Sequence, residues 1–138
     1  MTLRIVRLGT PRGGDEGLRL GTVRRPPRGV KKADFARRDF YDLWLPLLSP
    51  SQPLVSRAMS QPWTDARWKN FARQYRAEMS RPEAKQMIEL LARMSHHANF
   101  SVGCYCENEQ RCHRSVLKKL LEEQAAKIAK MVTVTNFR

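Results

Sequence analysis

The chemistry-bearing residues of this chain gather in one stretch, VGCYCENEQRCHRSVLKKLL, residues 102–121. It holds all three cysteines, Cys104, Cys106 and Cys112, and His113 and Arg114 follow the last of them directly. An apolar run, an acidic turn and an amphipathic run succeed one another, which predicts a strand, a turn and a helix. In open α/β sheets, ligands collect at the carboxyl ends of strands, where the amides opening the next helix attract anions. Cys112, His113, Arg114 and Ser115 fall at that helix start. A thiolate there is stabilised by the helix dipole and by Arg111, Arg114 or a protonated His113. Cys112 is therefore the candidate nucleophile and His113 its candidate base.

Other chemistries compete for the same residues. Cys104, Cys106, Cys112 and His113 are four ligands of the types zinc takes. Their spacing is not that of a zinc knuckle, which wants two to four residues between paired cysteines. On a helix, Cys112 and His113 would also point about 100° apart. No cofactor is expected, and zinc stands as the alternative. The Cys106-x4-Arg111 spacing is similar to the loop of rhodanese-type sulfurtransferases. Glu107 and Glu109, however, would repel an anion where such a loop needs small residues and converging amides. Cys104 and Cys106 lie two apart and share a strand face. Cys104 reads as a small apolar filler of a buried strand, with Cys106 on the same strand.

Charge favours an anionic partner. The formal net charge is +13, and residues 1–38 carry eleven Lys/Arg against three acids. Most of those cations are Arg, the better residue for forked contacts with phosphate. A basic chain of this kind suggests a nucleotide or nucleic acid as ligand. Arg24 and Arg28 of this region join Arg111, Arg114 and Ser115 as candidate anion-binding residues.

The positioning elements follow from pattern. With 41% hydrophobic and 28% charged residues, the 138 positions read as one globular domain spanning residues 1–138. LRIVRL (3–8) alternates as a first strand, GTPRGGDEG (9–17) is a Gly-rich loop, and LRLGTVRR (18–25) is a second strand stopped by Pro26 and Pro27. FYDLWLPLL (40–48) is a short strand or loop broken by Pro46. Ser49-Pro50-Ser51 caps a short segment around 54–59. Thr64 caps a helix whose stripe is Trp68, Phe71, Ala72, Tyr75 and Met79. Pro82 opens another, with Met87, Leu90, Leu91 and Met94 buried and His96 and His97 at its end. NFSVGCYC (99–106) is a central strand, and Val116, Leu117, Leu120, Leu121 and Ile128 form one face of the last helix. Residues 130–138 alternate as an edge strand or a flexible tail.

No apolar run can span a bilayer, and the Args of the first ten residues do not suit a secretory signal. Three cysteines make no disulfide framework, so a cytoplasmic location is expected, with no membrane partner. The Trp63 and Pro46 regions are candidate surfaces for a homodimer.

Four blocks, in order, resemble the YeaO-like family of small prokaryotic proteins grouped as domain-of-unknown-function family 488. They are Arg24-Arg-Pro-Pro-Arg-Gly29, Trp44-Leu-Pro-Leu-Leu-Ser-Pro-Ser51, the Arg67–Met79 helix, and the Cys104…Cys112-His113-Arg114 signature. Val23 and Pro26 stand where that family usually has Asp and Trp. The resemblance covers about residues 3–128. It implies an α/β, Rossmann-like fold, here a single three-layer domain with a mainly parallel central sheet. It also implies that Arg24 and Arg28 share a cleft with Cys112, His113 and Arg114. The expected role is binding of a phosphate-bearing ligand there. The alternatives are a thiol-dependent or hydrolytic enzyme using Cys112 and His113, and an interaction module with structural cysteines.

Overall fold

In the computed structural model, which describes residues 1–129, four short strands form one all-parallel sheet. The strands β1 (Leu3–Arg7), β2 (Leu18–Gly21), β3 (Leu43–Trp44) and β4 (Phe100–Cys104) lie in the order β1-β4-β2-β3. Leu3 stands opposite Phe100 and Arg7 opposite Cys104, while on the other side Leu18 pairs with Phe100 and Gly21 with Gly103. β4 is therefore flanked on both sides, and all five of its residues are buried. Parallel order has one consequence for function: every strand ends at the same edge of the sheet, so the segments that follow them meet there.

Four helices cover one face: α1 (Gln52–Met59), α2 (Asp65–Glu78), α3 (Pro82–Met94) and α4 (His113–Glu123). Ser51 caps α1 by accepting from the Leu54 amide, and Thr64 caps α2 by accepting from that of Arg67. Pro82 takes the first helical position of α3, where a missing N–H costs nothing. Leu3, Leu20, Phe100 and Val102 from the sheet pack with Phe71, Tyr75, Ile88, Leu91, Leu117 and Leu121 from the helices. At about 25 cal/mol per Å² of buried apolar surface, this core is the main stabilising term.

The opposite face is covered by loops and a 3-10 turn. Val6 and Leu8 pack there with Phe35, Phe40 and Tyr41. Beside them lies a buried charge network. Arg19 donates to both carboxylate oxygens of Glu16 (2.8 and 3.0 Å) and to the Thr10 and Asp39 carbonyls, and Ser101 donates to Glu16 at 2.7 Å. These bonds tie the Gly-rich 9–17 loop to β2 and β4. Gly17 closes the loop at φ +80°, and a Cβ there would lie 1.9 Å from the Asn99 carbonyl oxygen. Only glycine fits both demands.

The expected parallel α/β class is what the structure has, but several boundaries differ. β2 leaves the ladder after Gly21 instead of running to residue 25. β4 stops at Cys104, so Cys106 is not in the buried strand but exposed beyond it. The cause is shared: past Cys104 neither neighbour offers a paired strand residue. The inward face of α3 is Ala84, Ile88, Leu91 and Ala92, while Leu90 and Met94 are exposed. Small alanines let this helix approach its neighbours closely, and a reading by side-chain size misses that face. Ile128 is not on the last helix. Ala125, at φ 64°, turns the chain after α4, and Ile128 pairs in parallel with Leu3. Residues 130–138, expected as an edge strand or tail, lie outside the described residues. No helix among the described residues is long and apolar enough to cross a membrane.

Candidate functional site

At the carboxyl edge of the sheet, the end of β4 and the start of α4 bring the three cysteines together. The Sγ atoms of Cys104, Cys106 and Cys112 all lie within 4.8 Å of one another. Cys104 ends the central strand, Cys106 sits on the turn beyond it, and Cys112 is the N-cap of α4. Cys112 is not helical. Its backbone is extended (φ −133°, ψ 147°), which lets its side chain turn back toward β4. Cys104 and Cys112 are buried, whereas Cys106 is exposed.

His113 stands behind Cys112. Its Nε2 lies 2.6 Å from the Thr22 carbonyl oxygen, and its Nδ1 lies 3.8 Å from Cys112 Sγ. A carbonyl can only accept, so Nε2 carries the hydrogen and Nδ1 presents its lone pair to the thiol. Burial holds the imidazole neutral, lowering its pKa to about 4. Tyr75 packs edge-on against the ring at 5.4 Å, and its hydroxyl donates to the Leu48 carbonyl. Thr22 is fixed in turn by bonds from its amide and hydroxyl to the Gly103 carbonyl. The tautomer is thus set by the strands themselves.

Arg114 completes the site. It is 4% exposed, its Nη2 donates to the Cys106 carbonyl at 2.9 Å, and its Nε is buried without a partner. No carboxylate pairs with it among the described residues. A buried guanidinium without a counter-charge is costly, so the neighbourhood favours an anion. The cluster provides one. Contacts from the thiols of Cys104 and Cys112, aided by the charge of Arg114, hold the Cys106 thiol well below its usual range. The sulfur contacts and burial push Cys104 and Cys112 up instead. Burial penalises a charge on Cys104 or Cys112, so a single negative charge in the cluster is best placed on the exposed Cys106.

The other candidate residues lie as follows. Arg24 donates to the Pro50 and Pro46 carbonyls (3.0 and 3.3 Å), so its guanidinium is engaged by the chain. Arg28 is exposed. Arg111 pairs with Asp65 at 2.7 Å and lies over the Trp68 ring. Ser115 donates to the Cys112 carbonyl. The 24–29 turn still borders the cysteine segment, because the Tyr105 hydroxyl donates to the Arg25 carbonyl at 2.9 Å. Cys104, Cys106, Cys112, His113 and Arg114 converge, while Arg24 and Arg111 are held by other partners. Sequence reasoning missed Thr22, whose part is played by a backbone carbonyl that no side-chain pattern reveals. It also missed Tyr41, whose hydroxyl is buried without a partner in the packed cluster that includes Cys104 and Cys112.

A parallel α/β domain with a thiol cluster, a neutral histidine and a buried arginine at its carboxyl edge is the class of protein these features define. The chain belongs to the family described as the active DUF488-N3 subclade, whose model matches residues 3–125. This agrees with the resemblance to the YeaO-like proteins of family 488. No curated protein and no solved structure matches the chain.

Proposed function

We propose that this chain is a thiol-dependent enzyme acting on a ligand that carries a phosphate or a comparable anion, with Cys106 as nucleophile. The observation that carries this reading is Arg114: a buried cation with no carboxylate partner among the described residues, bonded to the backbone of the one exposed cysteine in a three-thiol cluster. Low-pKa thiolates occur in such electropositive, partly exposed surroundings. Cys104 serves as donor to the Cys106 sulfur, while the single thiol hydrogen of Cys112 goes to His113 Nδ1. Cys112 is a supporting thiol here because it is only 2% exposed. For the substrate, α4 opens without a side-chain cap and without an acid in its first turn, so its amides and dipole favour an anion. The net charge of +13 steers the same class of ligand, nucleotides and nucleic acids included. The word "active" in the family's description agrees with a catalytic site.

Mapped alkylation of the reduced, metal-free protein tests this. At pH 6.5 iodoacetamide modifies Cys106 first, about tenfold faster than free cysteine, since a free thiol is almost wholly protonated there. Inorganic phosphate slows that reaction. Alkylation no faster than that of free cysteine overturns the nucleophile, and a rate indifferent to phosphate overturns the anionic ligand.

A further inference from the structure

The three sulfurs meet a second chemical requirement. Tetrahedral zinc bonded to sulfur at about 2.3 Å places its sulfur ligands roughly 3.8 Å apart. The Sγ atoms of Cys104, Cys106 and Cys112 already lie within 4.8 Å of one another. Two of them stand on fixed elements, the end of β4 and the cap of α4, and the third stands on the intervening turn. Neither knuckle spacing nor a helical 100° divergence governs these sulfurs, because Cys112 is extended and the three cysteines come from a strand end, a turn and a helix cap.

The surroundings fit as well. Histidines that ligate metals commonly donate the other ring N–H to a backbone carbonyl, which sets the tautomer. His113 is held so by Thr22, and its free Nδ1 lies 3.8 Å from Cys112 Sγ. Charge balances too. Three thiolates and one divalent cation leave a single negative charge, which Arg114 matches from its buried position at the Cys106 carbonyl.

We propose that Cys104, Cys106 and Cys112 chelate a thiophilic divalent cation of the zinc type through their three sulfurs, and that its uptake withdraws Cys106 from reaction. Three protein ligands leave a fourth coordination position for a ligand from solution. Binding releases to solvent the protons of those thiols that enter protonated. The first half of the proposal stands on the sulfur geometry alone, and the second rests on Cys106 being the working nucleophile. The metal would thus act as a reversible cap on the site.

Cobalt and zinc titrations of the reduced full chain decide it. Stoichiometric Co²⁺ should give sulfur-to-metal charge-transfer absorption and the intense visible bands of tetrahedral cobalt, with zinc displacing both. Cys106→Ser, at an exposed position that should not disturb folding, should lose the charge-transfer intensity of one sulfur and bind more weakly. Saturating zinc should slow alkylation of Cys106 at least tenfold. Absence of the charge-transfer band in the full chain overturns the metal site, while fast alkylation of metal-free Cys106 would leave the nucleophile standing. Cobalt binding with a metal-free Cys106 no faster than a free thiol keeps the metal site and overturns the nucleophile. Fast alkylation unchanged by saturating zinc overturns the cap.

Discussion

Arg114 donates from Nη2 to the backbone carbonyl of Cys106 at 2.9 Å, spanning the turn between β4 and α4. That bond places a buried positive charge beside the only exposed cysteine. The charge, more than the bond, matters to the thiol, because an opposite charge at about 4 Å contributes about 1–4 kcal/mol between water and a partly shielded surface.

Arg114→Met should therefore keep the length and packing of the side chain while removing its charge. Cys106 alkylation at pH 6.5 should slow about tenfold, matching about 1.4 kcal/mol of lost thiolate stabilisation. Stability should change little, since the exposed Cys106 thiolate takes up a proton when its counter-charge is lost and no buried charge is stranded. Unchanged alkylation in a folded variant would remove Arg114 as the thiolate's counter-charge.

Gly103, one residue before Cys104, allows β1 and β4 to approach. A Cβ there would lie 2.6 Å from the Val6 carbonyl oxygen and 2.8 Å from the Val6 side chain. Gly103→Ala must push β1 away from β4, and overpacking of this kind costs about 1–3 kcal/mol. The urea midpoint should fall, and because Arg7 pairs with Cys104 in that ladder, Cys106 alkylation should change with it. A Gly103→Ala protein with the urea midpoint of the wild type would show that this close approach is not needed.

Much of the frame was legible because local physics fixes it. Ser51, Thr64 and Pro82 announce helix starts by capping and by a missing N–H, and each stands where the structure begins a helix. NFSVGC reads as a central strand because it is mostly apolar and carries no charge. The site was legible by composition and not by geometry. Cys112 looks like a helical residue in the sequence, yet its extended N-cap conformation is what turns its sulfur toward Cys104 and Cys106. The partners of His113 and Arg114 are backbone carbonyls, at Thr22 and Cys106, which carry no sequence signature. In the sequence Glu16 belongs to the Gly-rich loop and Arg19 to the second strand, and only the fold shows them closed against each other.

That pair gives the last prediction. Glu16 and Arg19 are both buried, and their contact is bidentate. Burial alone would raise the Glu16 pKa, but the bonds from Arg19 and Ser101 and the Arg19 charge outweigh it, leaving the carboxyl below its ordinary value of 4.5. Asp42 is likewise lowered: burial opposes ionisation there, but bonds from Arg12 and the Arg19 amide prevail. A carboxyl depressed in the folded state contributes stability that is complete above its unfolded value. That contribution is lost as pH falls through the folded one. Wild-type urea midpoints should therefore be level near neutrality and decline below about pH 4.5. Glu16→Gln strands the buried Arg19 charge and should cost about 3–5 kcal/mol at pH 7, with a shallower acid decline. Glu16→Leu combined with Arg19→Met should lose less than Glu16→Gln alone, because no charge is left without its partner. If the double variant is instead the less stable of the two, the network's hydrogen bonds to Thr10, Asp39 and Ser101 hold the Gly-rich loop more strongly than the charge pair does.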